Sequence, residues 1–134
     1  MSTLKIIMTG RAPVEIDEDR WPLIAGESDY CHDGQVRSQA TRESQWAVGV
    51  RRHADGRVLV FATYEHDTQY RGERRFSAAR GNLLTPQPGA DIDLARAIQS
   101  ICMDISSAEH KDDDANRWPT LANDCIANLP AEKI

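Results

Sequence analysis

The sequence has few cysteines, few aromatic residues and no long apolar run. Its three cysteines, Cys31, Cys102 and Cys125, form no CxxC pair, so neither a disulfide framework nor a zinc knuckle is indicated. The apolar run at residues 6–8 is too short for a signal-peptide core or a membrane span. We therefore expect a cytoplasmic protein that does not associate with membranes.

Familiar catalytic and phosphate-binding motifs are also missing. The sequence contains no GxGxxG, GxxxxGK[ST], GxSxG or HExxH pattern. No histidine pairs with another histidine or a cysteine at helical metal spacing, and the adjacent triplet Cys31-His32-Asp33 rarely chelates one ion. We therefore expect neither metal nor cofactor and favour a non-catalytic protein. A deep pocket lined by His53, His66 or Cys31 would revive the enzyme hypothesis.

Charge is unevenly distributed along the chain. The formal net charge of −5 argues weakly against a general nucleic-acid binder. Residues 51–80, however, hold seven arginines against four acidic residues, so this window carries +3 and the remainder −8. The window is therefore a candidate for a site that binds anions.

Residues 45–65 predict a β-hairpin, around which we build the fold. Asp55-Gly56 separates two apolar-rich runs and favours a type I′ turn, whose central residues both need positive φ. The second run, residues 58–64, is apolar on both faces, which is typical of a central or doubly covered strand. Three further stretches are predicted to be extended: 3–9, 12–16 and an edge strand at 74–78.

Three segments are predicted to be helical: 17–25, 91–105 and 118–128. The helix at 91–105 has the clearest pattern, because its apolar residues share one helical face. These residues are Leu94, Ile98, Ile101, Cys102 and Ile105. Good N-caps precede each helix: Asp17 or Asp19, then Asp91, then Asn116. Residues 27–44 are polar and predict a long, partly mobile loop, which is either functional or disordered and is the first place to look for a site. Gly81 is expected to break the chain into a turn, and the tail 131–134 should fray.

Together these elements predict a single α+β domain over residues 1–134. We expect an antiparallel sheet of three or four strands with about three helices mainly on one face. The other face of the sheet would then be wet or available to a partner.

One short sequence occurs twice: residues 20–25 read RWPLIA and residues 117–122 read RWPTLA. The separation of 97 residues is too long for a solenoid repeat. We interpret the copies as a shared local design, in which a polar cap, an arginine, a tryptophan anchor and a proline start a compact helix. A duplication is the alternative interpretation.

The arginine-rich hairpin is the one constellation that supports a binding site. Its candidate binding residues are Arg51, Arg52, Arg57, Arg71, Arg74, Arg75 and Tyr64, and Arg80 would continue the patch. Such a patch would attract phosphates or an acidic protein surface, and tyrosine is able to stack on bases. The competing interpretation is that these arginines pair with acidic residues of the same chain, as surface charges usually do.

Three pieces of the chain carry a resemblance: D-x-x-RWP-x-IA at 17–25, W-x-V-x-VR-x-H-x-DGR at 46–57 and CIA-x-LPAE at 125–132. They resemble small uncharacterised proteins carried on plasmids, phages and integrative elements of proteobacteria. The resemblance spans most of the chain and implies a setting, an accessory protein of mobile DNA, without an activity, fold or site. Proteins of that setting often act by binding host defence components, replication proteins or DNA.

Two functions from different classes are consistent with these observations. The first is a non-catalytic protein-interaction module with an unknown protein partner, for which a homodimer through a sheet edge or the open face is one form. The alternative is a nucleic-acid-binding module that uses the arginine-rich hairpin 51–80.

Overall fold

A computed structural model describes residues 2–33, 42–68, 76–107 and 117–131. These residues form strands followed by helices, which confirms the predicted α+β class with antiparallel pairing. The strands are β1 Thr3–Ile6, β2 Val14–Asp17, β3 Leu23–Asp33, β4 Arg42–Arg52, β5 Val58–Thr68 and β6 Phe76–Leu84, and the helices are α1 Leu94–Ser106 and α2 Trp118–Ala127. The strands make two sheets rather than one: β1 pairs with β2, and the larger sheet has the order β3-β4-β5-β6.

The predicted hairpin is confirmed as β4 and β5, but its turn lies one residue earlier than expected. The Gly56 N–H donates to the His53 carbonyl at 2.9 Å, so Ala54 and Asp55 are the central residues. Gly56 follows them and supplies the positive φ, at 95°. A residue with a side chain would be strained there, which is why glycine suits the position.

The helices cover one face of the larger sheet. α1 lies against β5 and β6, while α2 lies against β3 and β4. The apolar stripe predicted for α1 faces this sheet, and Ile98, Ile101, Cys102 and Ile105 are all buried. They share one core with Trp118 of α2 and with the apolar side chains of β4 and β5. Removing this apolar surface from water is the main favourable term in folding.

The predictions for the two C-terminal helices are confirmed with small changes at their ends. Asp93, rather than Asp91, caps α1, and its carboxylate accepts the Arg96 N–H at 3.0 Å. α2 begins at Trp118, with its proline in the first turn. The predicted cap Asn116 lies outside the described residues.

The β1–β2 hairpin covers part of the opposite face of the larger sheet. Ile6, Met8, Ile16 and Trp21 pack there with Leu59 of β5. β5 is therefore covered on both faces, as its apolar sequence predicted. Because the hairpin covers only part of this face, the described residues leave the remainder open.

Two glycines make room for close contacts: Gly49 for the Phe61 ring of the neighbouring strand, and Gly81 for the N-terminal segment. A Cβ at Gly49 would lie 2.5 Å from Cζ of Phe61, and one at Gly81 would lie 2.6 Å from the Ile7 carbonyl oxygen. Thr9 then binds the edge of β6: its N–H donates to the Gly81 carbonyl at 2.9 Å and its hydroxyl accepts the Gly81 N–H at 3.2 Å. The sequence predicted a break at Gly81, but Gly81 lies within β6. Glycine is needed there because the backbone of the N-terminal segment approaches it closely.

The predicted helix at 17–25 is wrong. That stretch ends β2, makes one turn and enters β3. The Asp17 carbonyl accepts the N–H groups of Arg20 and Trp21 at 3.0 and 3.1 Å, so the helix-like geometry lasts for a single turn. Pro22 has no N–H for the next helical hydrogen bond, so the chain continues as a strand. Pro119 lies in the first turn of α2, where no such N–H is needed.

Two parts of the predicted loop 27–44 are also strand. Residues 27–33 belong to β3 and residues 42–44 belong to β4. Residues 34–41 and the last part of the predicted tail, 132–134, lie outside the described residues.

Candidate functional site

Strand alternation places Arg51 and Arg52 on opposite faces of the sheet. Arg51 is half-buried beside the small hairpin. Its Nη1 donates to the Trp21 carbonyl at 3.0 Å, and its guanidinium lies 6.0 Å from the centre of the Phe61 ring. Arg52 is exposed on the side that the helices cover. These two arginines therefore do not form one charged surface.

The hairpin turn holds Arg57 in place. Its Nε lies 2.8 Å from the Asp55 carboxylate, and its guanidinium lies 5.1 Å from the centre of the Trp21 ring. The Arg57 backbone N–H also donates to Asp55, and this bond is the main cause that lowers the pKa of the Asp55 carboxyl group. His53 stacks on the same tryptophan, with ring centres 5.0 Å apart. The contacts of Arg57 thus lie within the chain itself.

Of the remaining candidates, the two that the structure describes, Tyr64 and Arg80, do not extend the patch. Tyr64 is 0% exposed in the helix-side core, with its ring 5.8 Å from that of Trp46, so the folded chain offers no face of this ring to a base. Arg80 forms an ion pair with Asp104 of α1 at 3.6 Å. Three candidates lie outside the described residues: Arg71, Arg74 and Arg75. For Arg57 and Arg80 the structure matches the competing interpretation, pairing within the chain.

The outer side of β3 presents a regular row of backbone groups. In an antiparallel sheet, alternate residues turn their N–H and C=O toward the same side. The Asn128 amide donates to the Gly26 carbonyl at 3.4 Å, and the Tyr30 N–H donates to the Asp29 carboxylate at 2.8 Å, so the even-numbered residues point outward. Within the described ranges, the outward N–H and C=O of Ser28 have no hydrogen-bond partner. We call the outward groups of residues 26, 28 and 30 the β3 edge.

The registers of the whole sheet agree with this assignment. The His53 N–H donates to the Arg57 carbonyl at 2.9 Å, which makes Gly49 and Phe61 a hydrogen-bonded pair in the β4–β5 ladder. Gly49 consequently turns no backbone group toward β3. Gly81, which lies opposite Phe61 on β6, must point away from β5, and its N–H and C=O indeed bond to the N-terminal segment.

Apolar and acidic side chains flank the β3 edge. Leu23 and Tyr30 are 51% and 52% exposed, and both lie on the face opposite the helices. Glu27 and Asp29 lie on the helix side, where Asp29 meets Arg117 Nη1 at 2.7 Å. That hydrogen bond is the main cause that lowers the pKa of the Asp29 carboxyl group. The Asp29 carboxylate is therefore charged at neutral pH.

The open part of the sheet face adjoins this edge. A concavity of about 730 Å³ lies over β3, β4 and β5. Its lining includes Ser28, Tyr30, Gln45, Thr63 and Glu65. Because Ser28 and Tyr30 belong to both, the concavity and the β3 edge form one continuous surface.

A smaller groove of about 370 Å³ lies between the helices. Its lining includes Cys102, Met103, Trp118 and Ala122, and Met103 is 75% exposed. Burial raises the pKa of the Cys102 thiol to about 12, so it stays protonated and unreactive at neutral pH.

Residues 2–33, 42–68, 76–107 and 117–131 contain neither a metal-binding cluster nor a membrane-spanning helix. Within those ranges, no group of three His, Cys, Asp or Glu side chains could hold a metal ion. No helix in the same part of the chain is both long and apolar enough to cross a membrane. Of the residues named for an enzyme pocket, His53 packs on Trp21, while the side chains of Cys31 and His66 lie outside the described set.

Comparison with known proteins gives no match. No protein-family model matches the chain, and neither a curated protein nor a solved structure matches it significantly.

The sequence indicated residues 27–44 as the first place to look for a site but predicted a loop there, so the β3 edge itself was not predicted. The strand lacks an alternation of apolar and polar residues, because acidic residues follow Ala25 on its helix side and small or polar residues occupy its other side. The exposed aromatic Tyr30, in a stretch without glycine-proline turn signals, was the one available hint.

Proposed function

We propose that this chain is a non-catalytic protein-interaction module whose partner binds at the β3 edge and the adjoining open face. The observation that carries the proposal is an edge strand of 11 residues whose outward groups at Ser28 have no partner within the described ranges. Unpaired N–H and C=O groups in a row are a template for pairing with another chain.

The side chains around the edge support the same conclusion. Exposed large apolar residues usually mark interaction sites when they gather beside polar groups. Leu23 and Tyr30 lie on the same strand and on the same face. Tyrosine is also enriched where protein interfaces bury their central contacts.

A comparison of three baits tests this function. The full chain, a Tyr30→Ala variant and a Met103→Ala variant are immobilised, and proteins from a host lysate are captured and identified. We expect the wild type and Met103→Ala to retain the same specific protein, and Tyr30→Ala to lose most of it. Met103 is the matched control because it is an exposed apolar residue on the helix layer. An identical capture by all three baits would contradict the proposed surface.

The alternative function is a nucleic-acid-binding module that uses the hairpin region 51–80. Exposed Arg52 supports it, whereas Arg51, Arg57 and Arg80 make their contacts within the chain. Nucleic-acid binding through arginines would weaken steeply as salt rises. A mobility shift at low salt that disappears in Arg52→Ala would favour this alternative, and no shift at low salt would remove it.

The proposal includes a setting, an accessory cytoplasmic protein of a mobile genetic element. It is supported only by the resemblance of the segments at 17–25, 46–57 and 125–132. Sequencing the genes on either side tests it: plasmid or phage genes are expected, and a conserved housekeeping operon would contradict it.

A further inference from the structure

We propose that the partner at the β3 edge is an extended segment of another protein that carries basic residues at alternate positions and adds to the sheet as a fifth strand. The inference rests on the proposed function and names the class of its partner. It is drawn from three features of β3: the outward backbone groups, the acidic side chains between them and the chain's net charge of −5.

The alternation of β3 sets where the partner's charges must lie. Its outward backbone groups belong to residues 26, 28 and 30, whereas the carboxylates belong to Glu27 and Asp29 on the helix side. A strand added at this edge would place side chains directly opposite those carboxylates, at about 4.5–5.5 Å between Cβ atoms. Two lysines or arginines separated by one residue would meet both. The exposed carboxylate of Asp124 on α2 adds to the acidic character of this side.

A second copy of this chain fits the edge poorly. Two identical strands paired about a two-fold axis centred on Ser28 would place Glu27 opposite the Asp29 carboxylate of the other copy. A centre at residue 27 or at residue 29 would place each of those acids opposite itself. Like charges directly across a ladder are destabilising, so the registers centred on residues 27, 28 and 29 oppose a two-fold dimer.

At least two contacts of the β3 edge must open for the strand to bind. The Tyr30 N–H must leave the Asp29 carboxylate, to which it donates at 2.8 Å. The Asn128 amide contacts the Gly26 carbonyl at 3.4 Å, a long distance for a hydrogen bond, and donates to the Glu27 carboxylate at 2.9 Å. It covers one outward acceptor and one carboxylate of the edge. Asn128 is exposed, so its side chain can turn aside. Asn128→Ala should therefore strengthen binding.

The experiment measures binding of two labelled peptides to the full chain by fluorescence anisotropy. One is an alternating lysine-threonine peptide of about ten residues, and the other has glutamate in place of lysine. We expect the lysine peptide to bind at least about tenfold more tightly than the glutamate peptide. Equal affinities of the two peptides, or no binding of either, would overturn the inference.

Matched variants separate strand addition from simple charge attraction. Ser28→Pro removes an outward N–H and leaves the hydrogen bonds to β4 intact. It should therefore lower the affinity for the lysine peptide at least about tenfold, whereas Ser28→Ala should leave that affinity unchanged. An unchanged affinity in Ser28→Pro, with the fold intact by circular dichroism, would overturn the inference. If Ser28→Pro does not fold, Glu27→Lys decides: it should shift the preference toward the glutamate peptide, and an unchanged preference would overturn the inference.

The full chain also distinguishes this inference from the proposed function. If a captured protein binds the wild type and Ser28→Pro equally, the chain is still a protein-interaction module, but its partner does not add a strand at the β3 edge. A dimer by light scattering that Ser28→Pro dissociates would identify a second copy as the occupant and overturn the inference.

Discussion

At the scale of single residues, Gly49 and the Phe61 ring compete for one position on the hairpin. A Cβ at residue 49 would lie 2.5 Å from Cζ and 3.0 Å from Cε1 of that ring. Overpacking of this kind typically costs about 1–3 kcal/mol. We therefore expect Gly49→Ala to lower the free energy of unfolding by about that amount, as measured by denaturant titration.

The ring itself provides the control for this prediction. In a Phe61→Leu background the ring atoms nearest to residue 49 are gone, so Gly49→Ala should cost clearly less there. A cost that is the same in both backgrounds would show that the ring is not what excludes a side chain at residue 49.

The ion pair between Asp29 and Arg117 should make stability depend on pH at the acid end. Arg117 Nη1 lies 2.7 Å from the Asp29 carboxylate, and its guanidinium lies 5.1 Å from the centre of the Trp46 ring. The folded-state pKa of Asp29 is depressed below its ordinary 3.8, first through the Arg117 hydrogen bond. The stabilisation is therefore complete above that ordinary value and is lost as pH falls through the folded pKa.

Asp29→Asn tests this dependence. Both side chains are more than a third exposed, so solvent screening limits the effect to about 1 kcal/mol or less. We expect the wild type to be the more stable near neutral pH and the difference to shrink as pH falls below the ordinary pKa of 3.8. Denaturant unfolding at several pH values measures it. A difference that grows as pH falls would have the wrong sign for this ion pair.

At the scale of elements, α1 should depend on its buried stripe and not on its exposed side. Ile101 is 0% exposed, whereas Met103, two residues further, is 75% exposed. Truncating a buried isoleucine to alanine typically costs about 2–5 kcal/mol. Ile101→Ala should lose stability in that range, while Met103→Ala should stay within about 0.5 kcal/mol. Comparable losses in both variants by thermal or denaturant unfolding would mean that α1 does not pack through this face.

The two Arg-Trp-Pro copies show how far local signals reach. At 117–119 the tripeptide starts α2, as predicted, and at 20–22 it lies in a turn that leads into β3. Both tryptophans are buried, so the anchor was predicted correctly in each case. The residues after each proline make the difference: Leu121 and Cys125 lie four apart on one helical face, and no such stripe comes after Pro22. A cap without a periodic apolar stripe supports one turn only.

The candidate surface was harder to predict than the fold for a physical reason. Apolar patterning identified the β4–β5 hairpin, α1 and α2, because burial imposes a period on the sequence. A strand forms the edge of a sheet when it has a neighbouring strand on one side only. Which strand this is depends on contacts between residues that are far apart in the sequence. The arginines were visible in the sequence, but the acceptor of Arg51, the Trp21 carbonyl, lies 30 residues away.

At the scale of the whole molecule, the layering predicts the order of amide hydrogen exchange. Val60 of β5 is 0% exposed, has strands on both sides and is covered by the helix layer, so its N–H should exchange only on large-scale opening. The Ser28 N–H points out of the sheet and should exchange at least about a thousandfold faster. Exchange followed by NMR at two protein concentrations measures both amides. Slow exchange of Ser28 at both concentrations would mean that the chain covers its own edge, and slow exchange only at the higher one would reveal self-association there. Either result would contradict a β3 edge that is free to receive another protein.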